Sequence, residues 1–379
     1  MVNPVREHKG DFKNRSGLTV FSPWFKWFAL WSKGRQISAE GRRNYATGQG
    51  FFPDGAKFLR DEKGMALILT ILIISLIVTL TLQLNTSMRS NLHAAVNLRD
   101  GIMLACIARS GFDGALAVLY EDALAGNVDS LRETWAHLGT LSEHFGSLFD
   151  EGRFVVEIAD HSGRIQINKL VDGGGKYNED QKGLLMRFLN SPEFGLDPQE
   201  VENIVDAIKD WIDPDSETTR FGAETTYYEA LENPYPCKDG PFEFVEELLL
   251  VRGITEELFY GLGERPGISR YLSPYGDGKI NINTADPLVL GALSDRIDQD
   301  MVEDMIAYRE DEDNDLSDSD WYKKVPGMSE VSIPETLLTT SSTYFEIASE
   351  GYKGAMTKRI RGVVEREDKA LEILCWKVE

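Results

Sequence analysis

The sequence predicts an α+β protein in which a long N-terminal helix packs on a small antiparallel sheet, with a large inserted all-α domain. An apolar run at residues 65–84 continues as a helical pattern to residue 124. Strand-like alternation follows this helix and returns at the end of the chain. The sequence between those strands, residues 178–338, is mainly helical in its period. We therefore expect a helical domain inserted between strands of one sheet.

The apolar run has the length and composition of a membrane span. Residues 65–84 contain no charged residue, no Pro and no Gly. A helix rises about 1.5 Å per residue, so about 20 such residues cross a hydrocarbon layer about 30 Å thick. A buried helix of a soluble protein is the alternative, although such helices usually keep a polar face.

The charge distribution predicts an orientation for this span. Residues 1–64 contain 12 Lys and Arg against 6 Asp and Glu, although the formal net charge of the chain is −22. A basic flank before the span and an acidic body after it follow the positive-inside rule. We therefore expect a single-pass membrane protein with a cytoplasmic N-terminus and its body on the outer side of the membrane.

The junction before the apolar run resembles the leader of type IV pilins and pseudopilins. A charged run from Arg60 ends at Gly64, and Met65 opens the apolar helix. In that family a membrane peptidase cuts after the Gly and methylates the new amine, which implies cleavage between Gly64 and Met65. Residues 1–64 would then be a leader, whose length reflects either a start codon assigned too early or an amphipathic membrane-surface segment around residues 24–31.

The fifth mature position points to one class within this family. Most members carry Glu there, whereas this chain has Leu69. The K-type minor pseudopilins of type II secretion depart in the same way and carry a large helical insertion. The stretch from Ala108 to Gly111 and the Asn-x-Asn-Thr-Ala stretch ending at Ala285 also resemble this class. The resemblance covers residues 63–379.

This resemblance implies a pilin-like domain interrupted by two SAM-like parts. The implied divisions are residues 65–84 (transmembrane part of the helix), 85–168 (periplasmic half of the helix and first strands), 169–277 and 278–340 (first and second SAM-like parts) and 341–379 (C-terminal strands). Within them, a hairpin is predicted from residues 153–159 and 164–168. Helices are predicted at residues 181–189, 198–211, 242–250, 256–262, 287–293 and 299–309, and further strands at 344–349, 359–365 and 370–377.

A helix-hairpin-helix unit at residues 286–309 suggests an alternative function, that of a membrane-anchored periplasmic DNA-binding protein of the competence type. Thr284 or Asn283 is expected to cap its first helix, with Pro287 in the first turn. In DNA-binding versions the hairpin is Gly-rich, so that backbone N–H groups reach a phosphate. Here residues 294–300 contain three aspartates. An acidic hairpin on an acidic body argues against nucleic acid as a partner.

An acidic loop after the helix predicted at residues 198–211 is the strongest metal candidate. Ca²⁺ binds several carboxylate and carbonyl oxygens from a short loop. Thr218 stands where an EF-hand requires Gly, so the loop is not an EF-hand. It resembles the K-type insertion, where calcium is bound, and a solvated acidic loop is the alternative. The same two interpretations apply to the acidic run at residues 310–320. The candidate ligands are Asp213, Asp215, Glu217 and Glu224.

Neither catalysis nor a zinc cluster has support in the sequence. The chain has no H-E-x-x-H, G-x-S-x-G or C-x-x-C motif, so we do not expect an enzyme. Cys106 lies in the long helix and is expected to be a small residue of the hydrophobic core. The remaining two cysteines leave open a Cys237–Cys375 disulfide in an oxidising compartment.

The resemblance implies a minor pseudopilin that initiates or caps the periplasmic pseudopilus at its tip and so supports export across the outer membrane. A structural pilin without a secretion role is a nearer alternative. In the family, Glu at mature position five neutralises the methylated amine of a neighbouring subunit, which Leu69 cannot do. The implied partners are the I-type and J-type minor pseudopilins, the major pseudopilin, the prepilin peptidase, the inner-membrane assembly platform and membrane lipid.

Overall fold

The computed structural model describes residues 62–143, 149–367 and 370–379. The predicted leader therefore lies almost entirely outside the described residues, as does the segment at residues 24–31. The chain divides into two compact units, Met1–Leu80 and Thr81–Glu379.

The described helices and strands follow the predicted order closely. The α-helices are α1 (Glu62–Ala125), α2 (Leu138–Ser142), α3 (Glu179–Leu189), α4 (Pro198–Ile212), α5 (Thr225–Tyr228), α6 (Glu256–Tyr260), α7 (Pro287–Ala292) and α8 (Gln299–Glu310). The strands are β1 (Arg153–Asp160), β2 (Ile165–Gln166), β3 (Gly261–Leu262), β4 (Arg265–Pro266), β5 (Leu272–Ser273), β6 (Ile280–Asn281), β7 (Leu338–Thr339), β8 (Tyr344–Lys353), β9 (Met356–Glu367) and β10 (Ala370–Val378). Short 3₁₀ helices lie at Thr134–His137, Ile167–Lys169, Val245–Leu250, Ile268–Tyr271, Ser319–Lys324, Met328–Glu330 and Glu335–Leu337.

In the first unit, the described residues form the beginning of α1, as predicted. Their apolar side chains are exposed, and the few hydroxyl groups bond back to the helix. Thr70 donates to a backbone carbonyl at 2.8 Å, and Ser75 and Thr79 do so at 2.8 and 2.7 Å. No polar side-chain group of these three residues needs water, which suits a helix surrounded by lipid. Among the described helices, α1 is the one that is long and apolar enough to cross a membrane.

In the second unit, α1 packs on a four-stranded antiparallel sheet of order β1-β8-β9-β10. One face of the helix is buried against it through Ile107, Ala108, Phe112, Ala115 and Leu119, which follow the three-and-four spacing of a helix face. A Cβ at Gly111 would lie 2.8 Å from the Phe154 ring, so glycine permits the close approach of helix and sheet.

The predicted hairpin of residues 153–159 and 164–168 is wrong. Strand β1 pairs with β8, and β2 pairs in parallel with β5 inside the insertion. The alternating Ile165 and Ile167 are each 1% exposed because they enter the core of the insertion instead of the sheet. Of the predicted strand, only Ile165–Gln166 is extended, since Ile167–Lys169 form a 3₁₀ helix, and the partner strand comes from a distant part of the chain.

The insertion has one continuous hydrophobic core that runs from Ile165 to Leu338. It is mainly helical but not purely so, because three two-stranded pairs, β2–β5, β3–β4 and β6–β7, lie within it. These short pairs satisfy backbone groups where segments cross. The division into two SAM-like parts at residue 278 stays a prediction.

The residues expected to cap α7 have a different role. Asp286 is the N-cap, and its Oδ1 accepts from the Leu288 N–H at 3.1 Å, with Pro287 next to it as predicted. Thr284 instead donates to Asp160 Oδ2 at 2.5 Å, and Asn283 Oδ1 accepts from the Trp321 indole at 2.7 Å. Both predicted caps therefore hold the insertion together and fix it to the end of β1.

Cys106 is not the core residue that the sequence predicted, and the disulfide left open between Cys237 and Cys375 does not form. In the part of the chain that the structure describes, all three cysteines are free. Cys237 is buried in the insertion core, whereas Cys375 lies on β10, so no disulfide joins them. Cys106 is exposed because the next two residues of α1, Ile107 and Ala108, face the sheet.

A buried ion cluster joins the end of α1, the following loop and the sheet. Arg366 on β9 is buried; it contacts Asp122 Oδ2 at 2.7 Å, pairs with Asp129 and donates to the Ser342 carbonyl at 3.0 Å. Asp129 also accepts from the Ser342 N–H at 2.6 Å. One guanidinium therefore fixes the helix, the loop and the segment by which the chain returns from the insertion.

We expect Arg366→Met to lower the free energy of unfolding by about 3–5 kcal/mol, because it leaves the buried carboxylate of Asp129 and the half-buried one of Asp122 without their cation. Urea unfolding of residues 81–379, followed by tryptophan fluorescence, measures the loss. Arg361→Met is the matched control on the same strand, since its side chain is 44% exposed beside Glu346, and should cost below about 1 kcal/mol. Equal losses in the two variants would contradict the role given to Arg366.

Candidate metal site and processing junction

Helix α4 delivers acidic side chains from its C-terminal end into the insertion. A capping box fixes its start: Asp197 accepts from the Glu200 N–H at 2.8 Å, and Glu200 accepts from the Asp197 N–H at 3.0 Å. Residues three and four apart lie on one face of a helix. Asp206, Asp210 and Asp213 therefore project from the same side, beside the loop that follows α4.

The loop after α4 folds back so that its backbone N–H groups meet these carboxylates. Asp210 accepts from the Thr219 N–H at 3.1 Å, and Asp206 accepts from the Phe221 N–H at 3.1 Å. A Cβ at Gly222 would overlap Asp210 Oδ2, so glycine is required where the loop passes the helix. Glu224 then follows at the N-cap of α5, but its side chain makes no capping bond.

Three carboxylates converge at this point. Oxygens of Asp210, Asp213 and Glu224 all lie within 4.8 Å of one another, and all three residues are buried. Within the described part of the chain, both Glu224 oxygens and Asp213 Oδ1 have no hydrogen-bond partner. Buried carboxylate oxygens without donors are costly, so each indicates a missing proton or cation.

The electrostatics of the cluster agree with this interpretation. Burial, together with the neighbouring carboxylates Asp210, Asp239 and Asp213, raises the pKa of Glu224 to about 7. Burial also raises the pKa of Asp210 and of Asp213. The unpaired oxygens form an all-oxygen donor set, which fits a hard divalent cation such as Ca²⁺.

The structure brings together two of the four predicted ligands. Asp213 and Glu224 lie in the cluster, whereas Asp215 and Glu217 are exposed, with Asp215 Oδ1 accepting from the Glu217 N–H at 2.8 Å. Asp210 takes their place and was missed as a ligand. Asp210 could have been found from its position three residues before Asp213, because that spacing places both side chains on one side of a helix. A search for a loop motif does not consider helical spacing.

Other carboxylate groups make poorer cation sites. Glu224, Cys237 and Asp239 offer ligand atoms within 4.8 Å, and a thiol is a soft ligand that calcium does not favour. The run at residues 310–320 is largely exposed, and Asp311, Asp315 and Asp318 accept from backbone N–H groups of their own turns. That pattern is typical of a solvated loop.

The helix-hairpin-helix unit is present in α7 and α8, with its acidic connection exposed. Asp298 caps α8 by accepting from the Met301 N–H at 2.9 Å. Asp295 and Asp300 are also exposed. Three carboxylates at this turn would repel a phosphate, so the geometry does not favour DNA binding.

A Ser–His–Glu arrangement lies where the insertion meets the sheet. His161 Nδ1 lies 2.8 Å from Ser273 Oγ, and His161 Nε2 lies 3.1 Å from Glu346 Oε2. Ser273 is fully buried, and its hydroxyl also donates to the Tyr275 carbonyl at 3.0 Å. Through His161, this buried hydroxyl links the insertion to Glu346 on the sheet.

The predicted processing junction lies in the first turns of α1. Gly64 is half-buried and Met65 is 62% exposed. Leu69, at the fifth position from Met65, is 60% exposed. The start of the apolar helix therefore presents no carboxylate at this position.

Comparison with known proteins finds similarity to one family. Two family models described as "Type II secretion system (T2SS), protein K" match residues 163–264 and 280–341. The type II secretion system protein K of Aeromonas hydrophila is 24% identical over 329 residues, which cover 81% of this chain and 94% of that protein. The protein K of Klebsiella pneumoniae is 23% identical over 236 residues, or 60% of this chain and 67% of that protein.

A solved structure has the same fold. It is the crystal structure of the GspK-GspI-GspJ complex from the type 2 secretion system of enterotoxigenic Escherichia coli. The matched chain aligns with a TM-score of 0.61 at 18% identity, covering 75% of this chain and 98% of that chain. The family models fall on the insertion, and the structural match covers more of the chain than they do. The insertion therefore matches the type II secretion system protein K family, and most of the chain shares the fold of the matched structure.

Proposed function

We propose that this chain is the minor pseudopilin that initiates or caps the pseudopilus of a type II secretion system at its tip, and that it thereby supports protein export across the outer membrane. The observation that carries the proposal is the large insertion, with its own core, between β1 and β8 of a pilin-like sheet. A body of this size beside the sheet obstructs a further subunit from stacking on top. Leu69 agrees with this position, because it offers no carboxylate to a neighbour's amine.

The orientation follows from charge. The basic segment before α1 stays in the cytoplasm, and the acidic body enters the periplasm. The apolar helix then anchors the mature chain in the inner membrane, with lipid around its first 20 or so residues.

Exposed apolar side chains on α1 supply the assembly surface. Leu98 is 67% exposed and Ile102 is 59% exposed, just before the part of the helix that the sheet covers. Leu84, Met88 and Leu92 continue this exposed stretch towards the N-terminus. Such side chains favour burial against other long helices at a shallow crossing angle. We propose that I-type and J-type minor pseudopilins, the kinds of subunit that accompany GspK in the solved GspK-GspI-GspJ complex, cover them.

The buried cluster binds Ca²⁺ through Asp210, Asp213 and Glu224 in this proposal. The unpaired oxygens of Glu224 and Asp213 support it. A bound cation neutralises carboxylates that burial would otherwise keep protonated, and it fixes the loop after α4 to the helix. Its role is structural, and we propose no catalytic activity.

Processing is tested at the N-terminus. We expect mature protein to begin at N-methylated Met65, and Gly64→Ile to leave uncut precursor in the membrane, because the peptidase requires the small residue before the cut. Mass spectrometry of protein from the membrane fraction measures both. Lys63 or upstream residues on the mature chain would refute this cleavage.

Assembly is tested on residues 85–379. Size-exclusion chromatography with light scattering should give a monomer alone and a defined complex with the I-type and J-type partners. Leu98→Glu should weaken that complex by about tenfold or more, because it buries an unpaired charge. Asn97→Glu adds the same charge to an exposed polar neighbour and should leave the complex nearly unchanged. Equal effects of the two variants, or no complex at tens of micromolar, would argue against this surface.

Calcium is tested by thermal unfolding of residues 81–379 after treatment with a chelator. At about 100 times its Kd, a ligand of the folded state adds about 2.7 kcal/mol of stability, so calcium should raise the Tm clearly. Asp213→Asn with Glu224→Gln should abolish the shift, and Asp215→Asn with Glu217→Gln should retain it. The reverse pattern would assign the site to the exposed loop.

The same cluster predicts a pH dependence. An unfolded Glu releases its proton near its ordinary pKa of 4.5, whereas folding raises the pKa of Glu224 to about 7. Between these values the folded state holds a proton that the unfolded state has lost, so this contribution to stability falls as pH rises. Without calcium, Glu224→Gln should therefore flatten the fall in urea midpoint between pH 5 and pH 8. Calcium should stabilise more at pH 8 than at pH 5, because protons compete with it; a larger effect at pH 5 would contradict this.

A further inference from the structure

Lys209 places a positive charge against the acidic cluster. It lies one turn before Asp213 on α4, and its ammonium pairs with Asp213 Oδ2. Its side chain is 12% exposed, so the charge is largely removed from water. The other oxygen, Asp213 Oδ1, has no hydrogen-bond partner within the described residues. One oxygen of Asp213 therefore pairs with the Lys209 ammonium, and the other faces the carboxylates of the cluster without a hydrogen-bond partner.

The charges of this site can be counted. When ionised, Asp210, Asp213 and Glu224 carry three negative charges, and Lys209 contributes one positive charge. With Lys209, these groups carry two net negative charges, which a divalent ion cancels. Without Lys209 they carry three, which a trivalent ion cancels. Buried charges are tolerated best when they are compensated locally.

Resting on the cation site proposed above, we propose that Lys209 determines the charge selectivity of that site. The ammonium competes for Asp213 and repels an incoming ion, so it lowers the affinity for every cation. The repulsion grows in proportion to the charge of the ion. Lys209 consequently discriminates against trivalent ions more strongly than against divalent ones, and it favours an ion such as Ca²⁺.

The test uses the full-length chain in detergent after treatment with a chelator, with Tb³⁺ as the trivalent probe. Trp211 adjoins Asp210 in sequence, so we expect it to sensitise Tb³⁺ luminescence, and Ca²⁺ affinity is obtained by displacement of Tb³⁺. Lys209→Met should raise the affinity for Ca²⁺ by about tenfold and that for Tb³⁺ by about thirtyfold, since the electrostatic free energy scales with ion charge. Lys209→Gln is a second variant that keeps a hydrogen-bond donor without the charge, and it should give the same direction.

Lys182→Met is the matched control, because its ammonium lies 4.0 Å from the Tyr177 ring centroid on the neighbouring helix α3. It should change either affinity by less than about twofold. An unchanged ratio of Tb³⁺ to Ca²⁺ affinity in both Lys209 variants would overturn the inference and leave the metal site standing. A loss of Ca²⁺ affinity in both would overturn it too, because Lys209 would then only hold Asp213 in place. Absence of any binding by the unaltered chain would refute the metal site itself.

Discussion

Strands β1 and β8 pair along their length although the whole insertion separates them in sequence. The chain must therefore leave the sheet after Asp160 and return to it at Tyr344, at a single point. At this point both carboxylate oxygens of Asp160 accept hydrogen bonds. The donors are the Ser162 N–H at 2.7 Å, Thr284 Oγ1 at 2.5 Å and Ser342 Oγ at 2.6 Å. Each donor comes from a different segment, and leaving any of these partly buried groups unpaired is expensive. Arg366 connects the end of α1 to the same junction, because it pairs with Asp122 and donates to the Ser342 carbonyl.

This junction explains how one chain serves both anchoring and assembly. Because the insertion is attached at the end of β1 and β8, the face of the sheet that covers α1 is left intact, and Leu98 and Ile102 stay exposed before it. The insertion can then contain sites of its own, such as the acidic cluster, without changing the packing of α1 on the sheet. The His161 contacts to Ser273 and Glu346 also hold the insertion against the sheet at this junction.

Local periodicity was enough to predict α1, α4, α8 and the three C-terminal strands, because all of them except the exposed or half-buried β10 bury one face. It failed where a contact depends on distant residues. Ile165 and Ile167 alternate like a sheet strand, but their partner is β5 and not β1. Thr284 is a good helix cap by residue type, but Asp160 takes its hydroxyl. Of the three carboxylates that converge, Asp213 and Glu224 were predicted as ligands from loop spacing, whereas Asp210 is brought in by its position on the helix and by the return of the loop at Gly222.

The insertion places this subunit at the end of the pseudopilus in the function proposed here, and electron microscopy of isolated pseudopili tests that position most directly. The fibres carry a gold label on a cysteine introduced at the exposed Glu312 of the insertion, with the accessible Cys106 and Cys375 changed to Ser and only the buried Cys237 retained. We expect one label, at one end of each fibre. We further expect a Leu69→Glu variant to show labels along the fibre or disturbed assembly, because the added carboxylate removes the restriction on position. Labels distributed along fibres of the unaltered Leu69 chain would contradict the tip position.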